Sequence, residues 1–198
     1  MESYGPAKVA CEQAVLQAIG PERCLIARVG LIGGPGDTFG RTGHWPLCFA
    51  HPAADDGSVL IPDAPQLPTQ VIDARDLASW LIDCCVRQRS GVCNAMGETW
   101  PFSDHLAAAR TAAGHEGPLV SADAHWPHAH GVGECSGPKT LPLWLSDPGW
   151  QGMNARSNER AKAAGLKHRP LAETLSDVYE VGGRRRHRQA ATSGAFPR

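Results

Sequence analysis

The sequence has no long hydrophobic run, few aromatic residues and almost no net charge. Its longest apolar stretch falls well short of the roughly 18–20 residues that span a bilayer, so no membrane helix is expected. Lys and Arg total 19 against 20 Asp and Glu. That balance excludes the broad basic face of a nucleic-acid binder. Met1 to Pro6 carries no basic stretch followed by an apolar one, so no secretory signal is expected. No Cys-x-x-Cys pair occurs among the seven cysteines, and Cys84 and Cys85 are adjacent. An odd count without bridge spacing points to reduced, mostly buried thiols of a cytoplasmic protein.

What is present is apolar material for one core. The 198 residues are 42% hydrophobic, roughly a single domain's worth. Tyr4 to Ile19 reads as a helix. Pro6 is tolerated there because the first turn needs no amide donor. Val9, Ala10, Ala14, Val15 and Ala18 fall on one broad apolar face. Gly20-Pro21 stops it. Cys24 to Ile32 is a nearly unbroken apolar run, which suits a strand buried on both faces of a parallel sheet. Gly33-Gly34-Pro35-Gly36-Asp37 then turns the chain into a loop. Residues 38–68, interrupted by Pro46, Pro52, Pro62, Pro65 and Pro68, read as irregular, with Val59-Leu60-Ile61 at best a short strand.

Further along, Thr69 to Asp73 is a strand candidate. Asp76 is placed to cap a helix whose Leu77, Trp80, Leu81, Cys84 and Cys85 recur at helical spacing. Val92 to Ala95 is a short strand. Ser103 is placed to cap a helix running to about Ala113, closed by Gly114. Residues 115–150, rich in His, Pro and Trp, read as loop. Ser157 to Ala164 is a short helix, and Pro170 opens a last one with Leu171, Leu175 and Val178 facing inward. Residues 182–198 carry the basic stretch Arg184 to Arg188 without apolar pattern and are expected to form a disordered tail. The early alternation of helix and strand argues an α/β fold.

The most informative chemistry is Tyr4-Gly5-Pro6-Ala7-Lys8. Residues four apart share a helix face, with Cβ atoms about 5–6 Å apart. A cation beside a phenol favours phenolate, which suits a tyrosine to acid–base work near neutral pH. Oxidation of a carbinol by nicotinamide needs such a group to take the hydroxyl proton. Lys8 is also placed to hydrogen-bond a ribose. On its own, a Tyr and a Lys at this spacing equally describe an exposed surface pair.

The surrounding segments add to that pair. Tyr4-Gly5-Pro6-Ala7-Lys8-Val9-Ala10-Cys11-Glu12 resembles the active-site helix of the extended short-chain dehydrogenases/reductases, the NAD-dependent epimerase/dehydratase group. Arg28-Val29-Gly30-Leu31-Ile32-Gly33-Gly34-Pro35-Gly36-Asp37 is similar to that family's next strand and loop. Val71 to Ala78 is similar to the strand–helix junction that follows, Cys93-Asn94-Ala95-Met96-Gly97 to a later short strand, and Arg169 to Thr174 to the C-terminal helix. Five loose motifs in the right order cover the chain to about Tyr179. The resemblance implies a Rossmann-type parallel sheet with a small substrate-binding lobe. It implies Tyr4 as acid–base, Lys8 as its partner and ribose ligand, the Gly30 backbone near the nicotinamide and Leu31 near the substrate. NAD or NADP is the implied cofactor, and a small-molecule carbinol or carbonyl the implied substrate.

The family's first strand, Gly-rich phosphate turn, ribose-binding acid and active-site Ser or Thr all lie ahead of the tyrosine. Here three residues precede Tyr4, and Ser3, adjacent to it, is no match for that Ser. Residues 1–181 are therefore read as the C-terminal portion of an NAD(P)-binding epimerase/dehydratase-like domain, lacking the first strands and inactive alone. Gly34-Pro35-Gly36-Asp37-Thr38-Phe39-Gly40 imitates a phosphate turn, but Thr42-Gly43-His44-Trp45-Pro46 after it is poor helix material, so it reads as a strand-exit loop. Deprived of neighbours, the strand near Leu25 to Ile32 is expected to leave an apolar edge through which copies associate. The alternative reading is a non-catalytic interaction module that keeps the scaffold and uses that edge.

Other clusters carry less. His125, His128, His130 and Cys135 offer ligands for zinc, but Pro127 spoils the helical display and no second Cys or carboxylate has ligand spacing, so no metal is expected. Asp73, Arg75 and Asp76 suit a cap and its surface partner better than a catalytic carboxylate pair. Trp144 reads as core.

Overall fold

The computed structural model describes residues 3–135 and 139–193. Helix α1 (Tyr4–Ile19) has the expected bounds, but it buries none of its residues. Among the described residues nothing covers its apolar face: Val9, Val15 and Ile19 are all exposed. The Cys24–Ile32 run is not one strand. It breaks at Gly30 into β1 (Leu25–Val29) and β2 (Leu31–Gly33), which join different sheets. Gly30 still donates its amide to the Ala95 carbonyl at 3.2 Å. A Cβ at Gly30 would meet the Met96 sulfur, which would have to move aside.

Helix α2 (His44–Ala50) stands where the prolines suggested irregular chain. Pro46 lies in its first turn, where a missing amide costs nothing. The helix forms because Trp45 and Phe49 are driven into the core, with the Trp45 indole donating to the Pro142 carbonyl at 3.0 Å. Strand β3 (Val59–Pro62) and strand β4 (Pro68–Asp73) follow, then helix α3 (Ala74–Val86). Asp73, not Asp76, caps α3: its side chain accepts from the Arg75 amide. Strand β5 (Gly91–Ala95) leads to β6 (Thr99–Pro101) and helix α4 (Phe102–Ala113). Pro101 occupies the cap position of α4, so the expected Ser103 cap is not made. Gly114 closes α4 in the left-handed conformation, as its position suggested.

The stretch read as loop carries β7 (Leu119–Ala122), α5 (His125–Ala129), β8 (Gly133–Glu134) and β9 (Thr140–Leu141). These elements are too short for periodicity to show, and their partners are distant in sequence. Helix α6 (Glu159–Ala163) is a residue or two shorter at each end than the pattern implied. Helix α7 (Leu171–Ser193) continues through residues assigned to the tail; the remainder of that tail, residues 194–198, lies outside the described residues.

Strands β1 and β5 pair in parallel, as do β2 and β4, and β6 adds antiparallel to β4. Strand β3 pairs in parallel with β7, and β8 with β9. Among the described residues β1 pairs on one edge only, and its apolar side chains are half-buried or exposed. The open edge is thus present, while burial on both faces is not. Two cores result. One joins α2, α4 and α7 around Trp45, Phe49, Phe102, Leu143, Trp144 and Leu175. The other packs α3 and α6 on β4 and β5 through Ile72, Leu77, Trp80, Cys93 and Ala161. None of the seven cysteines forms a disulfide; Cys24, Cys84 and Cys93 are buried, and Cys11 and Cys85 exposed. Among the described residues no helix is long and apolar enough to cross a membrane.

Candidate functional site

Five residues join α1 to β1, so the helix doubles back along the strand. A bidentate pair fixes that arrangement: Arg28 donates through Nε at 2.9 Å and Nη2 at 2.6 Å to the Glu12 carboxylate. Tyr4 lies eight residues before Glu12, about 12 Å along the axis. Gly30 lies two residues past Arg28, about 6.6 Å further along the strand. The start of α1 and the end of β1 therefore share one end of the sheet, the carboxyl end of the parallel strands. In open α/β sheets this is the end where ligands bind.

At that end the Lys8 ammonium sits 5.8 Å from the centre of the Tyr4 ring. The two groups keep the one-turn relation their spacing predicts. Tyr4 is 66% exposed, so no described wall encloses its phenol. Leu31 is half-buried and packs against the core around Trp45 and Phe102.

The loop after β2 is closed on itself by Asp37. Its carboxylate accepts from the amides of Phe39, Gly40 and Thr42, each at 3.0 Å, and from the Thr42 hydroxyl at 2.9 Å. Three of the loop's amides are thus committed to an internal carboxylate, and the helix that follows is α2, only seven residues long. Residues 34–40 form a strand-exit loop.

Asp73, at the end of β4, anchors a second polar network. Its buried carboxylate accepts from Arg75 Nε at 2.9 Å, Arg75 Nη2 at 2.7 Å and the Thr174 hydroxyl at 2.9 Å. Burial pushes this carboxyl up, but the hydrogen bonds from Arg75 and Thr174 and the charge of Arg169 outweigh it and hold it below its ordinary value. Arg75 reaches on to Asp177 at 2.6 Å, and Arg169 grips Asp76 at 2.8 Å. The network ties α3 to α7, so these carboxylates are structural.

His128 in α5 and His130 just after it have other partners than a metal. His130 donates from Nδ1 to the Trp126 carbonyl and stacks on the Trp126 ring, and His128 pairs with Glu134 at 3.0 Å. Among the described residues no group of three or more His, Cys, Asp or Glu is placed to hold a metal ion. Trp144 is buried in the core. The sequence reading overlooked Asp37, whose signal was a carboxylate five residues ahead of a threonine, and Arg41, at the far end of the same loop.

No protein-family model matches the sequence, and no curated protein does. Solved structures match it well. RMD from Pseudomonas aeruginosa, complexed with NADPH, superposes with a TM-score of 0.59 at 17% identity, over 92% of this chain and 56% of that one. UDP-glucose 4-epimerase from Thermus thermophilus, complexed with NAD, gives 0.57 at 14% identity, over 88% and 51%. UDP-glucuronic acid 4-epimerase from Bacillus cereus, also with NAD, gives 0.55 at 14%, over 91% and 52%. The fold is that of the epimerases. The chain spans just over half the length of these structures. The Rossmann-type architecture implied by the five motifs is therefore present, as a mixed α/β fold with parallel strands.

Proposed function

We propose that this chain is the proton-handling and substrate-side portion of an NAD(P)-dependent oxidoreductase of the epimerase/dehydratase type. The observation that carries the reading is the Tyr4–Lys8 pair, held one helical turn apart at the carboxyl end of an epimerase-like sheet. Tyr4 takes the proton from a carbinol, or returns one to a carbonyl. Lys8 supplies the adjacent positive charge and a donor for the ribose of the dinucleotide. The Gly30 backbone lies along the nicotinamide, and Leu31 borders the substrate. The structures complexed with NAD or NADPH support the cofactor class. The pyrophosphate has no cradle among the described residues, since the one glycine-rich loop is closed by Asp37. The chain alone is accordingly inactive, and the nucleotide-holding strands are supplied from outside residues 1–198. Seven cysteines without a disulfide favour a reducing compartment, the cytoplasm.

The experiment is turnover of a panel of secondary alcohols with NAD⁺ or NADP⁺. It compares the chain alone with the chain extended by whatever reading frame lies upstream of Met1. We expect no turnover alone, and turnover in a form that includes a Gly-x-x-Gly-x-x-Gly turn. In that form Tyr4→Phe lowers kcat by about 100-fold or more. Full activity in the Tyr4→Phe variant contradicts the assignment. The unpaired β1 edge and the bare face of α1 favour a second reading, an interaction module whose copies associate through that edge.

A further inference from the structure

Arg41, Arg75, Arg110 and Arg169 are the partly buried arginines among the residues whose burial is described. Three have acceptors. Arg75 holds Asp73 and Asp177, Arg169 holds Asp76, and Arg110 donates to the carbonyls of His115 and Gly117. Arg41 is different. Its Nε is buried and has no hydrogen-bond partner. Among the described residues its guanidinium forms no ion pair with a carboxylate. It lies instead against the ring of Phe39, with the guanidinium carbon 5.1 Å from the ring centre.

A buried N–H without an acceptor carries a desolvation cost that an arriving acceptor relieves, and on a part-exposed arginine such as Arg41 an acceptor can reach it from solvent. The obvious internal partner is Asp37, four residues away. Its carboxylate is instead spent on three amides and a hydroxyl of the same loop. Those bonds hold the loop in shape while leaving Arg41 unneutralised. The loop follows β2 directly, so Arg41 stands at the carboxyl end of the parallel strands, beyond Leu31. Phe39 is 79% exposed and covers the guanidinium face without being packed into the core. An arriving anion can displace it at little cost.

We propose that Arg41 is a substrate-binding residue that clamps an oxyanion, a carboxylate or a phosphate, with Phe39 as its displaceable cover. The planar fork of the guanidinium matches both groups through two parallel N–H donors. The assignment of the anion to a substrate rests on the oxidoreductase reading above. The binding itself needs neither cofactor nor turnover, so it fails or stands separately from the Tyr4–Lys8 assignment.

The test is an NMR titration of the Arg side-chain Nε–H signals of the full chain, at constant ionic strength, with inorganic phosphate in one arm and acetate in the other. Arg41→Lys deletes the Arg41 signal and so assigns it. The expected result is a saturable shift of that signal in at least one arm, with the signals of Arg75 and Arg169 unmoved. Saturation by phosphate alone assigns a phosphorylated ligand, and by acetate alone a carboxylate. Tryptophan fluorescence follows the same binding in the variants. Arg41→Gln and Arg41→Lys should weaken it by about tenfold or more while melting like the parent chain. No saturable shift in either arm, or unchanged binding in Arg41→Gln, overturns the proposal.

Discussion

His105 is fully buried on α4, and its Nε2 has no partner. Burial alone pushes its imidazole down to about 4 from an ordinary value of 6.5. The folded chain thus resists protonation at a site that the unfolded chain protonates near 6.5. The associated stability is complete above pH 6.5 and is lost as pH falls toward 4. Its full size is about 3 kcal/mol. His105→Leu removes the titrating group and keeps the volume. Urea denaturation between pH 7 and pH 4.5 should show a shallower loss of stability in the variant than in the parent. Equal slopes would contradict the burial of a neutral imidazole. Asp73 acts over a lower range. Despite its burial, the carboxyl is held down by Arg75, Thr174 and Arg169, so its contribution is present above its unfolded value and disappears on protonation. Asp73→Asn keeps the shape but removes the charge that Arg75 and Arg169 share. It should cost about 2–4 kcal/mol by the same measurement, with a near-zero cost contradicting the anchor.

At the scale of elements, α1 is the weakest. Sixteen residues form a regular helix with nothing buried, held by Glu12–Arg28 and the short link to β1. Isolated helices of that length are marginal in water. Amide hydrogen exchange in residues 9–19 should be at least about 100-fold faster than in α4, whose Phe102, Leu106 and Ala109 are buried. Equal protection would mean that α1 is packed in solution against something. The same contrast explains what could be read in advance. Helices α1, α3 and α4 and strands β4 and β5 were legible because their periodicity and stop signals are local. Helix α2 was hidden by Pro46, since its formation depends on Trp45 and Phe49 finding α4. Strands β7, β8 and β9 are too short to carry a period. The cap of α3 fell three residues from its expected place because Asp73 and Asp76 look alike until Arg169 claims the latter. The Tyr4–Lys8 pair was legible from spacing. Arg41 was not, because lacking a partner is a property of the folded molecule.

The whole molecule shares its fold with just over half of much longer dinucleotide enzymes. Among the described residues its sheet ends at β1, where Leu25–Val29 offers an unpaired edge, and Val9, Val15 and Ile19 of α1 are exposed as well. On the proposed reading the carboxyl ends of β1 and β2 carry Tyr4, Lys8, Gly30 and Arg41, while Asp37 occupies amides of the glycine-rich loop that follows β2. On the proposed reading, proton transfer and substrate contact lie on this chain, and tight dinucleotide binding depends on strands outside residues 1–198. Fluorescence titration of the purified chain with NADH and NADPH tests that division most directly. The account predicts no saturable binding in the micromolar range with either nucleotide. Saturable micromolar binding by residues 1–198 alone would contradict it.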